Sequence, residues 1–197
     1  MIRWGRPDGI EAALAAMNQD SATARAELQE AVRSLFGGLL AVEPVLSERR
    51  QRSVAALADF VTRARTQIER SGTTKEMLYE PEPEAPTRLA QQLSQLAKGS
   101  ALLDGRPDAG EQDYTIVKRV AFDCIPTRRR KVIEAVCCGR DLEGIAPKAT
   151  LHYCVEDLQV LGLLENRQLS KLSFDLLTLA GIMGEFTRSP SVSTMVQ

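Results

Sequence analysis

Lys148, Thr150, His152 and Tyr153 fall within six residues, interleaved with the apolar row Leu151, Val155, Leu158 and Leu161. An ammonium and a hydroxyl beside an imidazole and a phenol suit a polyanion. Lys148 and Thr150 can hold phosphate oxygens while His152 and Tyr153 reach base edges. Arg128, Arg129, Arg130 and Lys131 form a second basic cluster, able to grip a phosphate backbone. Catalysis is harder to assemble. His152 is the one histidine, and no Ser or Cys nucleophile is placed for it by sequence. Cys124, Cys137, Cys138 and Cys154 show no CxxC spacing, so no zinc site is expected, and the adjacent Cys137 and Cys138 read as small core residues. The phosphate loop GxxxxGKS/T and the patterns GxGxxG, HExxH and GxSxG are all absent. Glu80, Glu82 and Glu84 sit in a proline-rich stretch that neither desolvates them nor fixes their separation, so they read as solvated charge. The expectation is a protein that is not an enzyme and takes no cofactor and no metal.

The whole chain offers no general attraction to a polyanion. Its 197 residues carry a net charge of -1, with 44% hydrophobic and 26% charged residues, an ordinary globular balance. Any basic surface must be local. No apolar run approaches the roughly 18 residues of a membrane span, and the N-terminus lacks the apolar segment of a secretory signal. No membrane partner and a cytoplasmic location are expected.

Helical periodicity dominates, so the expected class is mainly α. Asp8 can cap a first short helix, and Ser21 a second with Ala24, Leu28, Ala31, Leu35 and Leu39 at helical spacing, weakened at its end by Gly37 and Gly38. Ser47 can cap a third running to about Glu69, with Val54, Leu57, Val61, Ala64 and Ile68 on one face. Periodicity stops over residues 71–86, where three prolines fall in six residues, so this stretch must be an extended connector. Leu89, Leu93, Leu96, Ala97, Ser100 and Leu103 then make a stripe ended by Gly105, and Tyr114, Val117, Val120 and Ala121 mark the inward face of a pairing helix. Pro126 suits a first helical position, with Val132, Ile133, Val136 and Cys137 inward and Gly139 as the stop. "DLEGIA" is too short for more than a turn or two. Pro147 opens the helix of Leu151, Cys154, Val155, Leu158 and Leu161, Gly162 stops it, and "LLENRQLS" forms a minimal hairpin before a last amphipathic helix. Residues 1–70 are read as N-terminal helices, 71–124 as the connector and a helical pair, 125–182 as a C-terminal module, and 183–197 as a disordered tail.

The order helix, short helix, helix, tight hairpin, helix from Pro126 is that of a winged helix-turn-helix. "ATLHYCVEDLQVLGLLE" resembles the recognition helix and first wing strand of bacterial winged-helix regulators, which lay that helix in the major groove of DNA. The residues between Ile145 and Thr150 are fewer than a second helix and turn require, so the scaffold helix must be stunted. From Gly110 to Gly181 ten Lys and Arg face ten Asp and Glu, where groove binding usually brings a basic excess. Contact with double-stranded DNA and contact with a protein both stay open on this evidence.

A second resemblance covers Ala56 to Asp123. "LADFVTRARTQIERSG", "EPEPEAPTRLAQQLSQLAKGSALLDG" and "GEQDYTIVKRVAFD" together look like the C-terminal part of an AAA+ ATPase, including its helical lid, as in minichromosome-maintenance and MoxR-like proteins. The resemblance implies that Arg88 matches the lid arginine that reaches the γ-phosphate, with Arg63 or Arg65 approaching nucleotide held by a neighbouring subunit. Walker A and B segments are missing upstream, so hydrolysis by this chain alone is not expected. Taken together, the two resemblances imply a DNA-binding or regulatory protein that uses the winged helix; a second reading is an interaction or assembly subunit that docks on a partner ATPase or self-associates, and a third is residual ATPase activity in a complex, to which this chain donates Arg88 in trans.

Overall fold

A computed structural model of the protein describes residues 21–37 and 43–186, which fall into two units. In the first, α1 (Ser21–Gly37) is an amphipathic helix whose Leu28, Val32 and Phe36 are exposed. The helix expected after Asp8, with Gly38 and Leu39, lies outside the described residues.

In the second unit α2 (Glu48–Arg65) is the central rod. Ser47 caps it by accepting the Arg50 N–H at 3.3 Å, and Val54, Leu57, Phe60, Val61 and Ala64 lose nearly all contact with solvent. The helix stops four residues short of Glu69. Thr66 turns extended (ψ 129°), and the Arg129 guanidinium donates to the carbonyls of Ala64 (3.1 Å) and Thr66. A side chain from elsewhere thus satisfies the C-terminal carbonyls that another turn would have bonded. Ile68 leaves the helix yet still packs on the core. The connector after it is non-helical, as its prolines require; it folds back once, pairing Arg70 with Met77.

α3 (Thr87–Leu103) and α4 (Glu111–Asp123) pair across a short turn and pack on α2. Leu89, Leu93, Ala97 and Ala101 form the buried row of α3, while Leu103, expected inward, is exposed. At about 100° per residue, Leu103 lies roughly 200° round from Ala101. Val120 is likewise exposed, because Tyr114, Val117 and Ala121 already define the inward face of α4.

α5 (Thr127–Cys137) starts one residue after Pro126, which sits as its N-cap and not inside its first turn. The short second helix expected of a winged helix-turn-helix does not form: residues 140–146 are turns and bends, with Gly144 at φ +81° breaking any helical turn, and α6 (Lys148–Val160) follows. Gly162, at φ +71°, ends α6: its N–H bonds Gln159 O at 2.9 Å and the Leu163 N–H bonds Leu158 O at 2.8 Å. That pair of bonds is the Schellman ending. β1 (Leu164–Glu165) and β2 (Gln168–Leu169) form an antiparallel hairpin, registered Leu164 to Leu169 and Glu165 to Gln168. α7 (Lys171–Leu179) returns to α2, whose Ser53 Oγ donates to Leu179 O, while Tyr114 Oη of α4 donates to Ala180 O. The tail expected to be disordered from Met183 is helical over α8 (Met183–Phe186). Phe186 packs edge-on to Phe122 at 6.2 Å, an aromatic anchor that its polar neighbours hide in the sequence. One core runs from Leu57 and Phe60 through Val117 and Ile133 to Leu158 and Leu177. The fold is mainly helical with one two-strand antiparallel sheet.

Candidate nucleic-acid interface

Helix α6 carries the densest set of expected site residues, and its charges are sorted by side. Asp157 accepts from Arg70 at 2.6 Å and from Arg129 at 2.9 Å, while Glu156 pairs with Arg70 at 2.9 Å. Arg70 lies over the Tyr153 ring, 4.9 Å from its centroid. Burial opposes the Arg70 charge, but Asp157 and Glu156 more than offset it and hold the guanidinium above its ordinary value. The acids that would repel a phosphate backbone are therefore neutralised from within the molecule. Tyr153 is committed to the same cluster, and Thr150 is half-buried. The four residues read as one outer face separate for a geometric reason. Lys148 and His152 lie about 40° apart on the helix, whereas Thr150 and Tyr153 lie roughly 100° or more away from both.

Lys148 and His152 are exposed and line a cleft of about 880 Å³. One wall is α6, from Lys148 to Gln159; another is the loop of Asp141, Leu142 and Glu143; Arg167, in the hairpin turn, closes it. Both cations stand where the fold favours something else. Lys148 is the first residue of α6, where the helix dipole disfavours positive charge by about 0.3–1 kcal/mol. Arg167 is the second residue of a two-residue hairpin loop, with φ +63° after Asn166 at +48°. Such loops favour glycine there, and a side chain costs about 1 kcal/mol. Arg167 was not singled out from the sequence, although a cation at the tip of the "LLENRQLS" hairpin was its available signal.

The basic run at the start of α5 splits three ways. Arg129 is buried and spent on α2 and Asp157, so it belongs to the scaffold and not to the surface. Arg130 pairs with Asp123. Arg128 and Lys131 are exposed, and among the described residues neither meets a carboxylate; the same holds for Lys148, Arg167 and Arg140. Of the lid-like arginines, Arg63 is bound to Asp59 at 3.0 Å and Arg65 to Glu84 at 2.7 Å, while Arg88 is exposed in the first turn of α3. Glu84 is thus a partner, not merely solvated charge. Arg65 lines a groove with Thr62, Tyr79 and Cys124 that neither Arg63 nor Arg88 borders.

Compared with protein families, curated proteins and solved structures, the chain matches none. The thiols near the interface are poor nucleophiles, since burial pushes Cys137 up to about 12 and also raises Cys154. Among the described residues, no three His, Cys, Asp or Glu side chains gather to hold a metal ion. The arrangement can hold anions at the free cations of two helix starts and a hairpin tip; Glu156 and Asp157 are occupied, whereas Asp141 and Glu143 on the facing loop meet no cation among the described residues.

Proposed function

We propose that this chain binds duplex DNA without catalysis, through a winged helix-turn-helix made of α5, α6, the hairpin and α7. The observation that carries the reading is the placement of Lys148 and Arg167. Each holds a position that costs the fold stability, and both line the same cleft. A residue kept against a local preference is best explained by what it contacts outside the fold. A phosphate at the start of α6 would meet both the Lys148 ammonium and the unbonded N–H groups of the first turn. Arg128 and Lys131, at the start of α5, extend the same chemistry. Base reading falls to His152, because Tyr153 is held under Arg70. Binding of this kind is dominated by phosphates, so it depends steeply on salt and weakly on sequence.

The test measures affinity for duplexes of unrelated sequence across a salt series. Lys148→Ala with Arg167→Gly should weaken binding to all of them alike and lower the slope of log affinity against log salt by about 2, at roughly 0.9 per lost phosphate contact. Arg167→Gly alone should leave the fold as stable or up to about 1 kcal/mol more so. Unchanged affinity and slope in the double variant would sink the proposed contacts.

A further inference from the structure

We infer that the cleft between α6 and the 141–146 loop receives an amphipathic α-helix from a partner protein, with acidic residues along one edge and basic residues along the other. The apolar material comes first. Leu142 and Leu151 are half-buried, and with Val155 they form an apolar floor under a polar rim. Residues 140–146 are too few, and too rich in turns, to lay a helix of their own across it. The α6 wall from Lys148 to Gln159 runs 12 residues, about 16 Å or three helical turns. A guest helix of about three turns matches that length, presenting two or three apolar side chains at four-residue spacing.

Charge fixes the rest of the guest. The α6 wall carries Lys148 and the imidazole of His152, whereas the loop wall carries Asp141 and Glu143. A duplex uses the basic α6 wall and leaves Asp141 and Glu143 unanswered; a helix with acid facing α6 and base facing the loop satisfies both walls and would compete with a duplex for Lys148. The inference shares Lys148 with the DNA reading but stands on the apolar floor and the acidic loop, which that reading does not use.

The probe is a fluorescein-labelled, lactam-stapled peptide of about 14 residues, stapled because so short a helix is marginal alone. It carries leucines at four-residue spacing, glutamates along one edge and lysines along the other. Fluorescence anisotropy, with no DNA present, should show saturable one-to-one binding to the full chain. Leu142→Gln, at a half-buried position of the cleft, should weaken it by at least about tenfold by placing an amide in the apolar floor. Lys148→Glu, exposed and so harmless to folding, makes both walls acidic and should shift preference to a peptide with lysines along both edges. Absence of saturable binding overturns the inference, as does equal binding of both peptides to the unaltered chain or an unshifted preference in Lys148→Glu. Because no duplex is present, failure of DNA binding leaves this result untouched.

Discussion

Two residues of opposite sign organise much of the second unit, and neither advertises it. Arg129 sits in a basic run that reads as surface, yet it is 8% exposed and ties the end of α2 to Asp157 of α6. Asp113, fully buried, accepts from Arg106 at 2.7 and 2.8 Å and from the Gly110 N–H at 2.7 Å. The Arg106 guanidinium, against the opposing effect of burial, holds the Asp113 carboxyl down at about 2. In the unfolded chain the same group titrates near the ordinary value of about 3.9, so between those values the unfolded state binds more protons and stability rises with pH. The contribution, on the order of 2 kcal/mol, is fully present above about pH 4 and is lost as pH falls toward 2. Denaturant melts of the natural chain and Asp113→Asn should therefore differ most above about pH 5, by about half as much near pH 3, and converge only at about pH 2 and below. A gap that did not narrow would mean that Asp113 acts through packing alone.

At the scale of elements, backbone conformation and not contact decides what two glycines are worth. Gly162 ends α6 at φ +71° with nothing within 4 Å of an added methyl group, so Gly162→Ala should cost about 1 kcal/mol through strain alone. Gly99 lies inside α3 with equally open space, and there Gly99→Ala should stabilise by up to about 1 kcal/mol. Urea denaturation of the two variants checks the opposite signs. The Gly162 stop was legible because a glycine after a periodic apolar run is a local signal, and so was the hairpin that follows. What the sequence hid was non-local. The early end of α2 depends on Arg129, which lies more than sixty residues further on. The divided face of α6 depends on Arg70 reaching Tyr153, Glu156 and Asp157 from the connector. That Lys148 and His152 share one exposed face was legible from helical period; Tyr153 and Arg129 were not legible as held within the fold, because their partners sit on other elements, and Thr150 is half-buried on another side of α6. Leu103 and Val120 were misjudged for a simpler reason: hydrophobic type outweighed helical angle, and Ala101 and Ala121 took the inward positions.

For the second unit as a whole, the decisive fact is that α7, last of the long helices, packs on α2, the first. Its end is held by Ser53 Oγ and Tyr114 Oη, which donate to the carbonyls of Leu179 and Ala180. Arg129 makes a second bond of this kind, between α5 and the carbonyls at the end of α2. Buried side chains from α2 through α7 form one continuous cluster, with no division in the described core between α2–α4 and α5–α7. Unfolding of residues 43–186 should accordingly be a single cooperative transition. Phe60→Ala in α2 and Leu158→Ala in α6, both 0% exposed, should each cost about 3–5 kcal/mol, as removal of a fully buried side chain does. The informative readout is hydrogen exchange. Each substitution should lower protection by the same free energy in the slowest amides of α3 and of α6 alike, because both exchange through global unfolding. Loss confined to the helices nearest the altered residue would show that the two halves open separately. The surface proposed to bind phosphates could then move independently of α2, and the clamp of Arg70 and Arg129 on α6 would be a hinge and not a weld.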